Sequence, residues 1–228
     1  MPRIYKLSRT GIKLLYKIRH HRGHGIHSPF VFNLVTKVIE EKAPYHAYQD
    51  IRDVLDMRPH KYYYVSKYNL LSFRLVNYFG SKNILEIGSG YGLNTLCLTA
   101  HATNTLCTCV ETCPQKYNLA QNLYDDWGRK INLHTEKHLP DLPEKQDCIY
   151  VDLTNYNQLP EDFNDYLVRM SNENTFIIVK GIRTNKHNQA LWKSIMNIES
   201  RTAVLDLFNL GILFFDTKLY RWKYQISF

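Results

Sequence analysis

Residues 84–94 read ILEIGSGYGLN, and residues 95–100 continue TLCLTA. Three of the first four residues are apolar, and glycine recurs at 88, 90 and 92. A short apolar run, a glycine turn and a longer apolar segment form a strand–turn–helix unit. In a doubly wound sheet this turn is where a ligand meets the carboxyl ends of the strands. Glycines there leave bare main chain for close approach. The spacing is G-x-G-x-G, whereas the dinucleotide fingerprint that holds a pyrophosphate is G-x-G-x-x-G. Glu86, two residues before Gly88, would repel a pyrophosphate but attract a sulfonium ligand bearing an amino group. Glu111 stands 19 residues beyond Gly92, at the distance where an acid takes ribose hydroxyls. A tight turn with chance glycines and a solvated strand-end Glu are the plainer readings of each feature alone. Together the two carboxylates favour a nucleoside without phosphate.

Outward from this turn the chain alternates. Strands are expected at 84–87, 106–110, 131–134, 148–151 and 175–179, with helices at 93–102, 114–127, 160–170 and 185–196. That rhythm predicts right-handed crossovers and a parallel sheet covered on both faces. Residues 202–208, 211–215 and 223–228 are strand-like with short turns between them, which predicts an antiparallel C-terminal hairpin. The expected fold is α/β, a Rossmann-like seven-stranded sheet over 66–228, mostly parallel with an antiparallel C-terminal hairpin. A basic, helical N-terminal cap is expected over 1–65. Within it, apolar residues at three- and four-residue intervals predict an amphipathic helix over 3–19. Ser28 and Pro29 predict the start of a helix running to about Lys42. Residues 44–64 show no clear period, and 66–79 reads as a helix closed by Gly80.

The composition, 44% hydrophobic and 22% charged, is that of an ordinary globular chain. No apolar run reaches the roughly 18 residues of a membrane span, and no secretory signal is legible at the start. Five cysteines, an odd number in a chain of 228 residues, fit a reducing compartment, and a cytoplasmic location is expected. Cys107 and Cys109 alternate on one strand face, and zinc-ligand spacings are absent. Of 29 Lys and Arg, eight lie in residues 1–39, which hold no Asp or Glu; beyond them the charges balance at 21 of each sign.

The segments ILEIGSGYGLNT, CVET, QDCIYVDLTNY and TFIIVKGI, in this order, resemble a class I S-adenosylmethionine-dependent methyltransferase, nearest to the small-molecule O-methyltransferases. The resemblance covers about 66–216, two-thirds of the chain. The stretch GHGIHSPFVF (23–32) also resembles the opening of a group of bacterial methyltransferase-like proteins. The resemblance implies S-adenosyl-L-methionine as cofactor, with Gly88, Gly90 and Gly92 facing its methionine and ribose portions. It implies that Glu86 steers the amino group, Glu111 holds the ribose hydroxyls and Glu136 reaches the adenine amine. Asp152 would stand beside the transferable methyl, and Ser66, opening helix 66–79, would reach the ligand carboxylate.

Metal-dependent members of that group place an Asp-Asn pair after the fifth strand, where this chain has Lys180 and Gly181. An ammonium there argues against a divalent cation, so no metal ligands are expected. Lys180 could pair with Asp152, act as a base, or be a solvated rim lysine. His20, His21, His24 and His27 form a solvated loop or a lid, with His27 the candidate to reach the acceptor. Methyl transfer to oxygen, less so nitrogen, of a small aromatic acceptor is expected, with YYYVSKY (62–68) and 23–31 forming its pocket. Rival readings are an RNA methyltransferase using the basic arm and a cofactor-binding module without catalysis. Residues 3–22 could pack as a solvated helix or meet nucleic acid or an anionic membrane surface. A homodimer is also considered.

Overall fold

The computed structural model describes Gly11 and residues 26–58, 62–136, 138–156 and 159–228. Apart from Gly11, the expected helix over 3–19, together with His20, His21, His24 and Lys137, lies outside the described residues. Among the described residues, no helix is long and apolar enough to cross a membrane.

Helix α1 (Pro29–Leu34) begins where the sequence places it. The Ser28 hydroxyl accepts from the Val31 N–H at 3.3 Å, and Pro29 stands where a helix needs no N–H. It widens into a π-helical turn over Val35–Ile39, ending short of the expected Lys42. Arg74 explains the stop: its guanidinium donates to the Val38 and Ile39 carbonyls at 2.6 and 3.2 Å, satisfying acceptors that a helix end leaves open. Helix α2 (His46–Asp56) falls in the stretch that shows no period in the sequence. Only Ile51 and Leu55 are buried on it, while Tyr45 and Tyr48 pack edge-on against Phe73. Helix α3 (Lys67–Phe79) follows.

The sheet comprises β1 (Asn83–Ile87), β2 (Leu106–Val110), β3 (Lys130–His134), β4 (Cys148–Asp152), β5 (Phe176–Lys180), β6 (Val204–Asp206), β7 (Leu210–Phe214) and β8 (Lys223–Gln225). Helices α4 (Leu93–Thr99), α5 (Pro114–Asp125), α6 (Phe163–Met170) and α7 (Lys186–Ile195) follow β1, β2, β4 and β5 respectively, and β3 leads to β4 with no helix between them among the described residues. The strand order is β3-β2-β1-β4-β5-β7-β6-β8. Strands β1 to β5 pair in parallel, β7 runs antiparallel between β5 and β6, and β8 lies parallel to β6. Among the described residues the sheet thus has eight strands, not the expected seven. A two-strand hairpin would leave β6 with an open edge. The chain instead returns: the Val204 N–H donates to Trp222 O and the Ile226 N–H to Asp206 O, both at 2.9 Å.

Alternate residues of the central strands enter opposite cores. Ile84, Cys107, Cys148, Tyr150 and Ile178 lie under α1 and α3 in one cluster; Leu85, Ile87, Ile149, Val151 and Val179 lie under α6 and α7 in another. The described part of the N-terminal region shares the first of these cores through Val31, Leu34, Val35, Val38 and Ile39. On the second face, Trp192 of α7 presses on β7 at Gly211, where a Cβ would overlap the indole ring. Trp192 is 1% exposed and cannot swing into solvent. Gly211→Ala should therefore cost about 1–3 kcal/mol through overpacking, read as a lower urea midpoint at unchanged slope.

Candidate functional site

The turn between β1 and α4 holds Gly88, Gly90 and Gly92 at φ of +84°, +62° and +85°, values that an L side chain resists. What lies against them is largely the protein itself. A Cβ on Gly88 would stand 2.9 Å from Tyr156 Cβ and 3.0 Å from Asp152 O; one on Gly90 would stand 2.6 Å from Asn155 Nδ2; one on Gly92 would stand 2.7 Å from Tyr124 Cε1. The glycines let the turn press onto the loop after β4 and onto α5. A cavity of about 290 Å³ opens beside Gly88, Ser89 and Tyr91 of the same turn. Ser89 Oγ is buried there without a hydrogen-bond partner, which marks a place for a polar ligand atom.

A buried polar chain fixes one wall. Asn69 Oδ1 accepts from the Ser66 N–H and hydroxyl at 3.0 and 2.6 Å, and Asn69 Nδ2 donates to Asn94 Oδ1 at 3.1 Å. Asn94 Nδ2 in turn donates to Glu86 at 2.9 Å, and the Thr95 hydroxyl donates to the second Glu86 oxygen. The chain ties the start of α3 to β1 and α4. Burial pushes the Glu86 pKa up to about 7, against the pull of its hydrogen bonds from Thr95, Asn94 and Cys109. Glu86, Cys107 and Cys109 bring their ligand atoms within 4.8 Å of one another. Desolvation raises both thiol pKa values, so these sulfurs have little of the thiolate character that a metal requires.

Glu111, just past β2, is buried, and its two oxygens accept from the Gly90 and Cys113 N–H groups, each at 2.8 Å. At the end of β4, Asp152 Oδ1 accepts from the Thr154 N–H at 2.8 Å and from the Thr154 hydroxyl. Asp152 Oδ2 accepts from Asn155 Nδ2 at 3.2 Å and from Lys180 Nζ at 3.0 Å. The register pairs Asp152 with Lys180 across β4 and β5. The carboxylate side chain is 4% exposed and the lysine side chain 30%.

Residues 85–180 match a family model described as a methyltransferase domain. No curated protein matches the chain significantly. Solved structures share the fold. SAH-bound methyltransferase PaMTH1 of Podospora anserina superposes with a TM-score of 0.57 at 16% identity, over 82% of this chain and 96% of that one. The O-methyltransferase of Bacillus cereus, in complex with SAH, gives 0.53 at 15% identity over 81% and 96%. The O-methyltransferase TomG of Streptomyces achromogenes, in complex with SAM, gives 0.51 at 12% identity over 81% and 94%.

Within the matched stretch, the structure brings Glu86, Gly88, Asp152 and Lys180 to one cavity, and Ser66, N-terminal to it, lines the cavity too. Gly90 and Gly92 complete the turn, and Glu111 adjoins it through the Gly90 N–H. Two residues are not brought there. Glu136 is exposed on the loop after β3, and His27, also exposed, lines a separate cavity beside β8. Asn69, Asn94, Asn155 and Tyr91 line the cavity without having been singled out from sequence. Asn94 directly follows the glycine turn and Asn155 follows Asp152 by three, so proximity to the motifs was the available signal; Asn69 offered none.

Unfolded, a Glu ionises near pH 4.3, whereas folded Glu86 ionises only at about 7. Between these values the folded state binds more protons, so stability falls as pH rises. Glu86→Gln should remove that slope between about pH 5 and 8, a difference of up to about 3 kcal/mol, measured by urea unfolding across the range.

Proposed function

We propose that this chain transfers the methyl group of S-adenosyl-L-methionine to an oxygen, less readily a nitrogen, of a small aromatic acceptor without a catalytic metal. The observation that carries the reading is the meeting, in one cavity, of the glycine turn, at Gly88 and Ser89, with the Asp152–Lys180 pair. The residues suit the cofactor. Gly88, Ser89 and the unpartnered Ser89 Oγ offer main-chain and hydroxyl contacts, and Ser66 stands where a carboxylate would meet the start of α3. Glu86 would face the amino group and Glu111 the ribose hydroxyls. When bound, the cofactor supplies an electrophilic methyl group on a sulfonium.

The protein's part is alignment and charge. Asp152 already accepts four hydrogen bonds, about the capacity of a carboxylate; its role is to position Lys180 rather than to take a proton. The Lys180 ammonium keeps further N–H donors for an acceptor oxygen, and its charge favours the ionised form of that oxygen. It also stands 3.0 Å from Asp152, where a divalent cation would have to bind, which supports metal-independent transfer. Tyr62, Tyr64 and Tyr91 line the same cavity, and Tyr64 is 82% exposed, offering rings to stack on a planar acceptor.

A second reading, a module that binds the cofactor without turnover, is favoured by the saturation of Asp152. Calorimetry with S-adenosylhomocysteine and an assay of its formation from cell-extract acceptors separate the two. We expect binding, turnover unaffected by a chelator, and a loss of about 10²–10⁴ in kcat for Lys180→Met at unchanged cofactor affinity. Binding without turnover would favour the module, and activity abolished by chelation would overturn the metal-free mechanism.

A further inference from the structure

A second cavity lies away from the glycine turn. A groove of about 680 Å³ runs beside β8, lined by Tyr220, Arg221, Trp222, Lys223 and Tyr224 with His27 at its side. Basic and aromatic residues are interleaved along this one segment. Tyr220 is 86% exposed and Trp222 64%, far more than large rings normally show to water without a partner. No Asp or Glu lines the groove among the described residues. The nearby Asp206 is fully buried and already bound in two contacts to Arg183 and one to Lys223. Arg201 adds a further cation close to Arg221, which, after burial, helps lower its pKa. The groove also adjoins Ile26, and the 25 residues before it hold no acid.

We infer that this groove binds single-stranded nucleic acid, with bases stacked on Tyr220 and Trp222 and phosphates paired with Arg221 and Lys223. Stacking platforms alternating with cations along a groove are what such a ligand needs, because every base has a π-face and every linkage a charge. A second copy of the chain fits less well. Pairing two β8 edges about a two-fold axis at Trp222 would set Arg221 of each copy against Lys223 of the other. An anionic bilayer would satisfy the charge, but the exposed apolar groups here are upright rings rather than an aliphatic face. The inference goes beyond the methyl-transfer reading and does not depend on it. Strand β8 lies four strands from β4, roughly 19 Å at the usual strand spacing.

The protein carries its own probe. Of its three tryptophans, Trp127 and Trp192 are 6% and 1% exposed, so Trp222 alone reports on the surface. Titration of the full chain with a fluorescein-labelled oligothymidylate of about 15 nucleotides should quench tryptophan emission and raise the label's anisotropy. Binding should weaken with salt at a slope of about −2, as expected for two or three phosphate contacts on a single strand. Trp222→Ala and Tyr220→Ala should each weaken it by about tenfold, while thermal unfolding stays that of the parent, since both side chains are exposed. Four results would overturn the inference: no binding at low salt; anisotropy without quenching, or undiminished in both variants; quenching by phosphatidylglycerol vesicles but not by the oligonucleotide; or a dimer in sedimentation that Trp222→Ala dissolves.

Discussion

The approach of two main-chain turns is the constraint on which the rest of this structure depends. The turn after β1 lies so close to the loop after β4 that a single methyl group at 88 or 90 would collide with Asp152 O, Tyr156 or Asn155. Positive φ at all three glycines lets the chain bend there without side chains intervening. Because β1 and β4 are neighbours in the sheet, this contact sets the acid end of β4 against the opening of α4. The cavity and its polar groups follow from that geometry.

Electrostatics then divide the site into two regimes. Glu86 sits in the core, its charge suppressed by burial and its oxygens engaged by α4. Asp152 sits at the rim, held by Thr154, Asn155 and a lysine that reaches water. One carboxylate is thereby a responsive group that a bound cation would ionise, and the other is a fixed anchor for positive charge. The two lie on adjacent strands and differ in role because their surroundings differ.

Much of this was legible in the sequence, for physical reasons that differ by element. Period-two apolar runs marked the strands, and glycines between a strand and a helix marked the turn, because both signals are local. Helix α2 escaped notice because only Ile51 and Leu55 are buried on it and aromatic rings supply the remaining contacts. Residues 223–228 read as strand-like, but whether they would cover the edge of β6 as an eighth strand is a question that only the folded sheet decides. Glu86 and Gly88 were readable as one motif, but the Ser66–Asn69–Asn94–Glu86 chain joins residues up to 20 positions and more apart through contacts no linear pattern announces. The glycines were read as cleared for a ligand; their missing side chains also make room for Tyr156, Asn155 and Tyr124.

The far edge of the sheet has its own chemistry of endurance. Asp206 is fully buried, and although burial by itself would raise its pKa, the Arg183 fork, Lys223 and the Phe208 N–H together hold the carboxyl below the ordinary aspartate range. Its stabilising influence is therefore complete above the unfolded value and fades only as acid titrates the lower, folded one. The seam joining β6 to β8 should consequently tolerate mild acidity, and the strand bearing Trp222 stays fastened under conditions that begin to protonate solvent-facing carboxylates elsewhere.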